Sequence, residues 1–232
     1  MVLAILPSYI TPCKKSNPNL DRCIADTIES LRSRLADGIP ELGAPPIEPL
    51  ELETVRLLRG PVGARLHVNL TNIQVRGPST FTVHDLKSNL EENSFTFRVD
   101  FDKLNFQGKY QMDARLLLLR LSGTGDIHGN FTGYSSDVVL RGAKVIREGV
   151  EYLNFERMML KINIGEAKVH LSNLFGGDPI LGPASNEILN ANSALFVEEV
   201  RPVLESSLAD LFTEVANKVT RSFTYKELFP EE

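Results

Sequence analysis

The sequence predicts a single α+β domain over residues 1–232, in which a long C-terminal helix is wrapped by a highly curved antiparallel sheet and a short helix lies near the N-terminus. Three observations carry that prediction. Over residues 186–223 apolar side chains recur at steps of three, four and seven, the spacing of one helical face. Over residues 66–171 the period changes to two, which puts apolar and polar side chains on opposite faces of strands. A crossing rich in proline and glycine at residues 38–49 separates these strands from a short helical period before them. No linker interrupts the chain, and 232 residues with 42% hydrophobic content can bury a sizeable core.

Residues 6–19 read as an extended arm, because Pro7, Pro12 and Pro18 forbid a helix there. Asn17 offers an N-cap with Pro18 at the first helical position. Leu20, Ile24, Ile28, Leu31 and Leu35 follow at helical steps until Gly38 closes the segment. Cys13 and Cys23 flank the junction of arm and helix. A pair this close can be a disulfide, the alternative being two free buried thiols.

In the strand region Leu66, Val68 and Leu70 alternate with Arg65, His67 and Asn69. Phe95, Phe97, Val99 and Phe101 do the same, followed by Leu104, Phe106, Tyr110, Met112 and Ala114. Later come Ile127 and Phe131, Val138 and Leu140, then Met158, Leu160, Ile162 and Ile164, and finally Ala167, Val169 and Leu171. Strands this long twist and curl, so the sheet makes a trough. The apolar parity flips near Thr71-Asn72 and near Arg115-Leu116, as a β-bulge would make it. The glycines between Gly123 and Gly129 read as a turn between strands. Asn69 and Asn130 head the sequons Asn69-Leu70-Thr71 and Asn130-Phe131-Thr132 on the polar parity, so glycans there would point outward.

After a loop through Gly176, Gly177, Pro179, Gly182 and Pro183 comes the region of the long helix. Its apolar stripe is Leu189, Phe196, Val200, Val203, Leu204, Leu208, Leu211, Phe212, Val215, Val219 and Phe223. Its wet face is Glu198, Glu199, Arg201, Glu205, Ser206, Asp210, Glu214, Asn217, Lys218 and Arg221. Pro202 predicts a kink within one helix, since the stripe resumes in phase at Val203. At 1.5 Å per residue the helix would span roughly 55 Å. Its apolar face fits the concave face of the sheet, and periodicity alone leaves open whether the seam between them is solid or hollow.

A net charge of -5 argues against a nucleic-acid partner or an anionic membrane surface, both of which call for clustered Lys and Arg. No run of 18 apolar residues exists, so no stable membrane insertion is expected. The apolar residues 1–6 are too short for a signal core and fit the stub of a trimmed leader. His67, His128 and His170 sit on outward parities, and Asp126 and His128 share a strand face without a third ligand nearby, so no metal site is expected. His84 and Asp85 point to opposite faces, and no Gly-x-Ser-x-Gly elbow occurs. No catalytic residue and no cofactor are expected.

The ordered motifs of the chain resemble a known family. Leu6-Pro7-Ser8-Tyr9-Ile10-Thr11-Pro12-Cys13, Pro18-Asn19-Leu20-Asp21-Arg22-Cys23, Gly38-Ile39-Pro40, Gly108-Lys109-Tyr110, Leu121-Ser122-Gly123-Thr124-Gly125 and Phe223-Thr224-Tyr225-Lys226-Glu227-Leu228-Phe229-Pro230 look like those of the insect takeout proteins. These are relatives of the haemolymph juvenile hormone-binding proteins. The resemblance implies a hydrophobic tunnel between helix and sheet, and it maps the family's N-terminal disulfide onto Cys13 and Cys23. The hormone-binding branch carries a second disulfide for which this chain has no cysteines, which favours the takeout branch.

The resemblance therefore implies a secreted, non-enzymatic carrier for a long hydrophobic small molecule of the isoprenoid, prenylquinone or fatty acyl class, expected to act as a monomer. The expected lining is Phe97, Val99, Phe101, Tyr110, Met112, Phe131, Leu160 and Ile162 from the sheet, with Phe196, Val200, Leu204, Leu208 and Phe212 from the helix. Tyr110 supplies the hydroxyl that would orient a polar head group. The alternatives are a surface-mediated interaction protein and a lipid-modifying hydrolase, each with a solid or partly filled core.

Overall fold

A computed structural model describes residues 6–59, 66–116 and 119–231, with the backbone alone at 57–59, 66, 115, 116 and 119. The apolar start at residues 1–5, the side chains of the alternation at 65 and 66, and those of the parity flip at Arg115-Leu116 lie outside that description. Strands β1 (Leu50–Arg59), β2 (Leu66–Arg76), β3 (Thr82–Asn89), β4 (Ser94–Leu116), β5 (Leu119–Arg147), β6 (Val150–Phe155), β7 (Met159–Asn163) and β8 (Glu166–Leu171) form an antiparallel sheet. Its path runs β1-β2-β4-β5-β6, with β3 added to β4 and with β7 and β8 added to β5.

β4 and β5 dominate. They are 23 and 29 residues long and pair from Ser94↔Arg141 to Leu116↔Leu119. At about 3.3 Å per residue β5 holds roughly 95 Å of chain, which fits a domain of this size only by curling. The other edge of β5 is occupied in succession by β8, β7 and β6. The expected bulge near Thr71-Asn72 is present: the register with β4 shifts between Thr71 and Gln74, and Asn72 has φ 52°. Inward-facing Val68 and Leu70 thereby give way to Ile73 and Val75.

Three expectations about where turns and helices begin and end require correction. The glycines at 123, 125 and 129 are no turn but lie inside β5. A Cβ at Gly125 would stand 2.5 Å from the Ser172 carbonyl oxygen, and one at Gly129 would stand 2.1 Å from that of Lys168. Glycine is needed there because another stretch of backbone passes so close. Next, Asn17 is not the helix cap. Its Oδ1 accepts from the Asn19 amide at 2.8 Å in a local turn, and α1 (Leu20–Ser30) begins after Asn19. A second short helix, α2 (Arg32–Asp37), carries the chain on to Gly38 at φ 85°.

Finally, the C-terminal helical region is two helices. α3 (Leu181–Ala191) begins earlier than expected, because Pro183 is tolerated in a first turn. It stops at Asn192, whose side-chain amide donates to the Ile188 carbonyl at 2.8 Å. Asn and Ser compete with the helical backbone for hydrogen bonds, which explains a break at Asn192-Ser193. α4 (Ser193–Ser222) then runs for 30 residues with Pro202 inside it. The single-turn α5 (Tyr225–Leu228) follows, with Thr224 and Glu227 forming a capping box.

The N-terminal arm lies against the last turns of α4. Leu6, Tyr9 and Ile10 pack with Ile39, Leu42, Val215, Val219 and Phe223. Cys13 and Cys23 are joined in a disulfide, which pins the arm to the first turn of α1. In the chain-entropy model a loop this short stabilises by about 3 kcal/mol.

How the helices close the sheet is the main departure from the sequence pattern. The far edge of β8 is satisfied by α3: Asn186 Oδ1 accepts from the Leu171 amide at 2.9 Å, and its Nδ2 donates to the Leu171 carbonyl at 2.9 Å. Asn190 does the same for Val169, at 2.9 and 2.7 Å. On α4, Glu205 accepts from the Ile162 amide of β7 at 2.9 Å, and Thr213 Oγ1 accepts from the Met158 amide at 2.8 Å. Asn217 brackets Phe155 of β6 at 2.7 and 2.9 Å. Glu205 and Asn217 therefore do not belong to the wet face. Asn217 is 8% exposed, and with Ala209 and Thr213 these residues form a row at steps of four along the strand edges.

Candidate functional site

The predicted lining residues fall into three consecutive groups along the seam between α4 and the concave face of the sheet. At one end Tyr110 and Met112 pack with Phe196, Val200 and Leu204. In the middle Phe101, Phe131, Leu160 and Ile162 pack with Leu204 and Leu208 around Leu104 and Tyr134. At the other end Phe97 and Leu160 pack with Phe212 around Phe95, Val138 and Met158. Leu204 and Leu160 each belong to two groups, so the three are continuous. Val99 joins none of these groups, although it stands opposite Ser136 and is half-buried.

Burial divides the set. Tyr110, Met112, Ile162 and Val200 are buried at 2–8% exposure. Phe97, Phe101, Phe131, Leu160, Phe196, Leu204, Leu208 and Phe212 stay half-buried although each is packed against an apolar group. Outside the seam Met112 also borders a surface hollow of about 380 Å³ that reaches His67 and Asn69. Asn69 stands across from Arg56 and Gln111, and its Oδ1 is buried without a hydrogen-bond partner among the described residues.

Tyr110 uses its hydroxyl proton inside the fold. Its hydroxyl donates to the Ser172 carbonyl at 2.6 Å and so holds down the stretch that follows β8. Gly123 stands across the strand pair, and a Cβ there would lie 2.8 Å from the Tyr110 Oη. That proton is committed to the fold.

Tyr134, which the sequence reading passed over, has the opposite character. It is 6% exposed among Leu104, Ile162, Phe101 and Leu208, with the Phe101 ring edge-on at 5.4 Å between centroids. Its Oη accepts from the Ser136 hydroxyl at 3.3 Å, and no acceptor for its own proton exists among the described residues. Burial pushes the phenol up to about 12, with the nearby Glu205 carboxylate adding to the rise. A signal was available: Tyr134 and Ser136 share the inward parity of Val138 and Leu140.

Because the unfolded phenol titrates near 10, Tyr134 favours the fold fully below pH 10, and that contribution is lost as the pH rises from 10 to about 12. Urea midpoints at pH 9 and pH 11.5 are expected to differ by the equivalent of about 2 kcal/mol more in the parent than in Tyr134→Phe. Equal pH dependence in the two proteins would refute this placement of the phenol.

The four histidines lie away from the seam. His67, His84, His128 and His170 are exposed, and His84 pairs with Asp100 at 3.5 Å. Among the described residues no group of three His, Cys, Asp or Glu side chains could hold a metal ion, and no helix is long and apolar enough to cross a membrane.

Comparison with known proteins agrees with this architecture. The crystal structure of Takeout 1 from Epiphyas postvittana superposes with a TM-score of 0.82 over 94% of this chain and 99% of that one, at 19% identity, which shows the shared fold. The circadian clock-controlled protein daywake of Drosophila melanogaster is 24% identical over 238 residues, covering 97% of this chain and 89% of that protein. A Schistocerca gregaria protein named for binding beta-carotene is 23% identical over 217 residues, covering 93% of this chain and 86% of its own length. Residues 2–230 match the family model described as haemolymph juvenile hormone binding protein, and the chain belongs to that family.

Proposed function

We propose that the chain is a secreted, monomeric, non-enzymatic carrier that holds one long hydrophobic molecule in a tunnel along the seam between α4 and the sheet. The observation that carries this reading is the row of half-buried apolar side chains on both walls, from Phe196 through Leu204 and Leu208 to Phe212 and from Phe131 through Phe101 to Phe97. Side chains packed against apolar neighbours yet left partly uncovered keep apolar surface that a bound hydrophobic chain can cover. Membership of a family named for hormone binding supports it, as does a relative named for binding beta-carotene. The N-terminal disulfide supports the secretory route.

Affinity comes from burial at about 25 cal/mol per Å² of apolar surface, so an isoprenoid, prenylquinone or fatty acyl chain gains with every unit that enters. Tyr134, and not Tyr110, is the polar anchor, a neutral phenol offering its proton to a carbonyl or ether oxygen of the ligand. Tyr134→Phe is expected to weaken a ligand with such an oxygen by about 5- to 10-fold and to leave a pure hydrocarbon unaffected, as titrations with a matched pair would read.

Native extraction tests the carrier reading. The purified protein is extracted with organic solvent and the extract examined by mass spectrometry, and melting is followed with added retinoid, prenylquinone and long-chain fatty acid. A co-purifying lipid, or a rise in melting temperature with at least one of them, is expected. An empty extract together with an unmoved melting temperature refutes the carrier.

A further inference from the structure

His128 on β5 and His170 on β8 are direct cross-strand partners on the outer face of the sheet, with ring centroids 4.8 Å apart and planes inclined by 36°. Both side chains are exposed, and among the described residues neither ring has a hydrogen bond or ion pair. Asp126, two residues before His128 on the same strand face, is engaged by Lys109. Two imidazoles thus stand side by side with their nitrogens uncommitted.

Directly opposed residues of an antiparallel pair have Cβ atoms about 4.5 to 5.5 Å apart. From that spacing one nitrogen of each ring can reach a common cation at the roughly 2.0 to 2.1 Å of a metal–imidazole bond. We propose that His128 and His170 form a two-imidazole chelate for a late first-row divalent cation, with Cu²⁺ preferred over Zn²⁺ and water completing the coordination. The preference follows from the nitrogen donors and from the general order of divalent affinities. A hollow of about 580 Å³ beside the pair, bordered by Asn130, Glu166, Lys168 and Asn190, leaves room for those waters. A cation there would tie β8 to β5 from the outer face, while Asn186 and Asn190 hold the far edge of β8. Binding to the folded state alone would stabilise the protein by mass action. This inference stands independently of the carrier reading.

The test uses the intact, untagged protein titrated with CuCl₂ and, separately, ZnCl₂, read by calorimetry, by the nitrogen couplings in the Cu²⁺ paramagnetic resonance spectrum, and by thermal melting. One cation per chain, two-nitrogen ligation and a rise in melting temperature are expected. His128→Asn and His170→Asn should each lower affinity at least 10-fold and abolish the thermal rise, while melting without metal stays within about 2 °C of the parent. His67→Asn, on β2, should change neither. Retained affinity in both His128→Asn and His170→Asn, or no binding by the parent at 100 μM cation, would overturn the site.

Discussion

Asn217→Leu is expected to lower the melting temperature by roughly 8 to 15 °C, although a leucine on a helix flanked by Ala216 and Lys218 costs nothing in helix propensity. The loss arises on the sheet. Asn217 is the partner of both the amide and the carbonyl of Phe155, and leucine can serve neither. Each buried group left without a partner costs about 1 to 3 kcal/mol, so the pair is worth about 3 to 5 kcal/mol. Glu214→Gln, one turn earlier on the exposed face, provides the comparison and should stay within about 0.5 kcal/mol. Urea unfolding of the two variants beside the parent reads the difference. A loss below 1 kcal/mol for Asn217→Leu would mean that water replaces the amide and that the edge is not sealed.

The second large effect concerns the seam. Leu204→Trp is expected to weaken binding of a fluorescent long-chain fatty acid at least 30-fold while shifting the melting temperature by less than about 5 °C. Leu204 packs into both the first and the middle group and is half-buried, so an indole has space to fill and then lies across the path. Excluding three methylenes removes about 2.4 kcal/mol of burial, close to a 50-fold change. Val200 is a poorer choice. At 5% exposure it has no such space, and a Trp there would overpack the core by about 1 to 3 kcal/mol. Leu195→Trp, at a position 43% exposed, should leave binding unchanged. Unchanged affinity in Leu204→Trp would remove the lining assignment.

The period of the apolar residues made the long strands, the concave face and the stripe of α4 legible, because burial on one face is a local property repeated many times. Features set by a single distant partner were not legible. Tyr110 and Tyr134 both lie on the inward parity, and which of them has its O–H already donated depends on the Ser172 carbonyl, 62 residues from Tyr110 in the chain. Glu205 and Asn217 read as solvated because hydropathy cannot separate an amide bonded to water from one bonded to a strand edge. The step of four linking Glu205, Ala209, Thr213 and Asn217 was the available clue. The glycines of β5 read as a turn because the backbone that crowds them, at Lys168, Ser172 and Asn173, comes much later in the chain.

The edge seal also has a consequence for the order in which the chain is made. When synthesis has passed Arg147, β4 and β5 can already pair, yet the outer edge of β5 stands open along its length. Strands β6 to β8 cover it only as residues 150–171 emerge, and their own outer edges wait for Asn186, Asn190, Glu205, Thr213 and Asn217. An open edge this long is a template for another chain. Ribosome-arrested chains with residues 1–175 exposed should therefore be retained by a holdase chaperone, and chains with residues 1–223 exposed should be released. The helices that follow β8 are what make the nascent sheet safe from its neighbours.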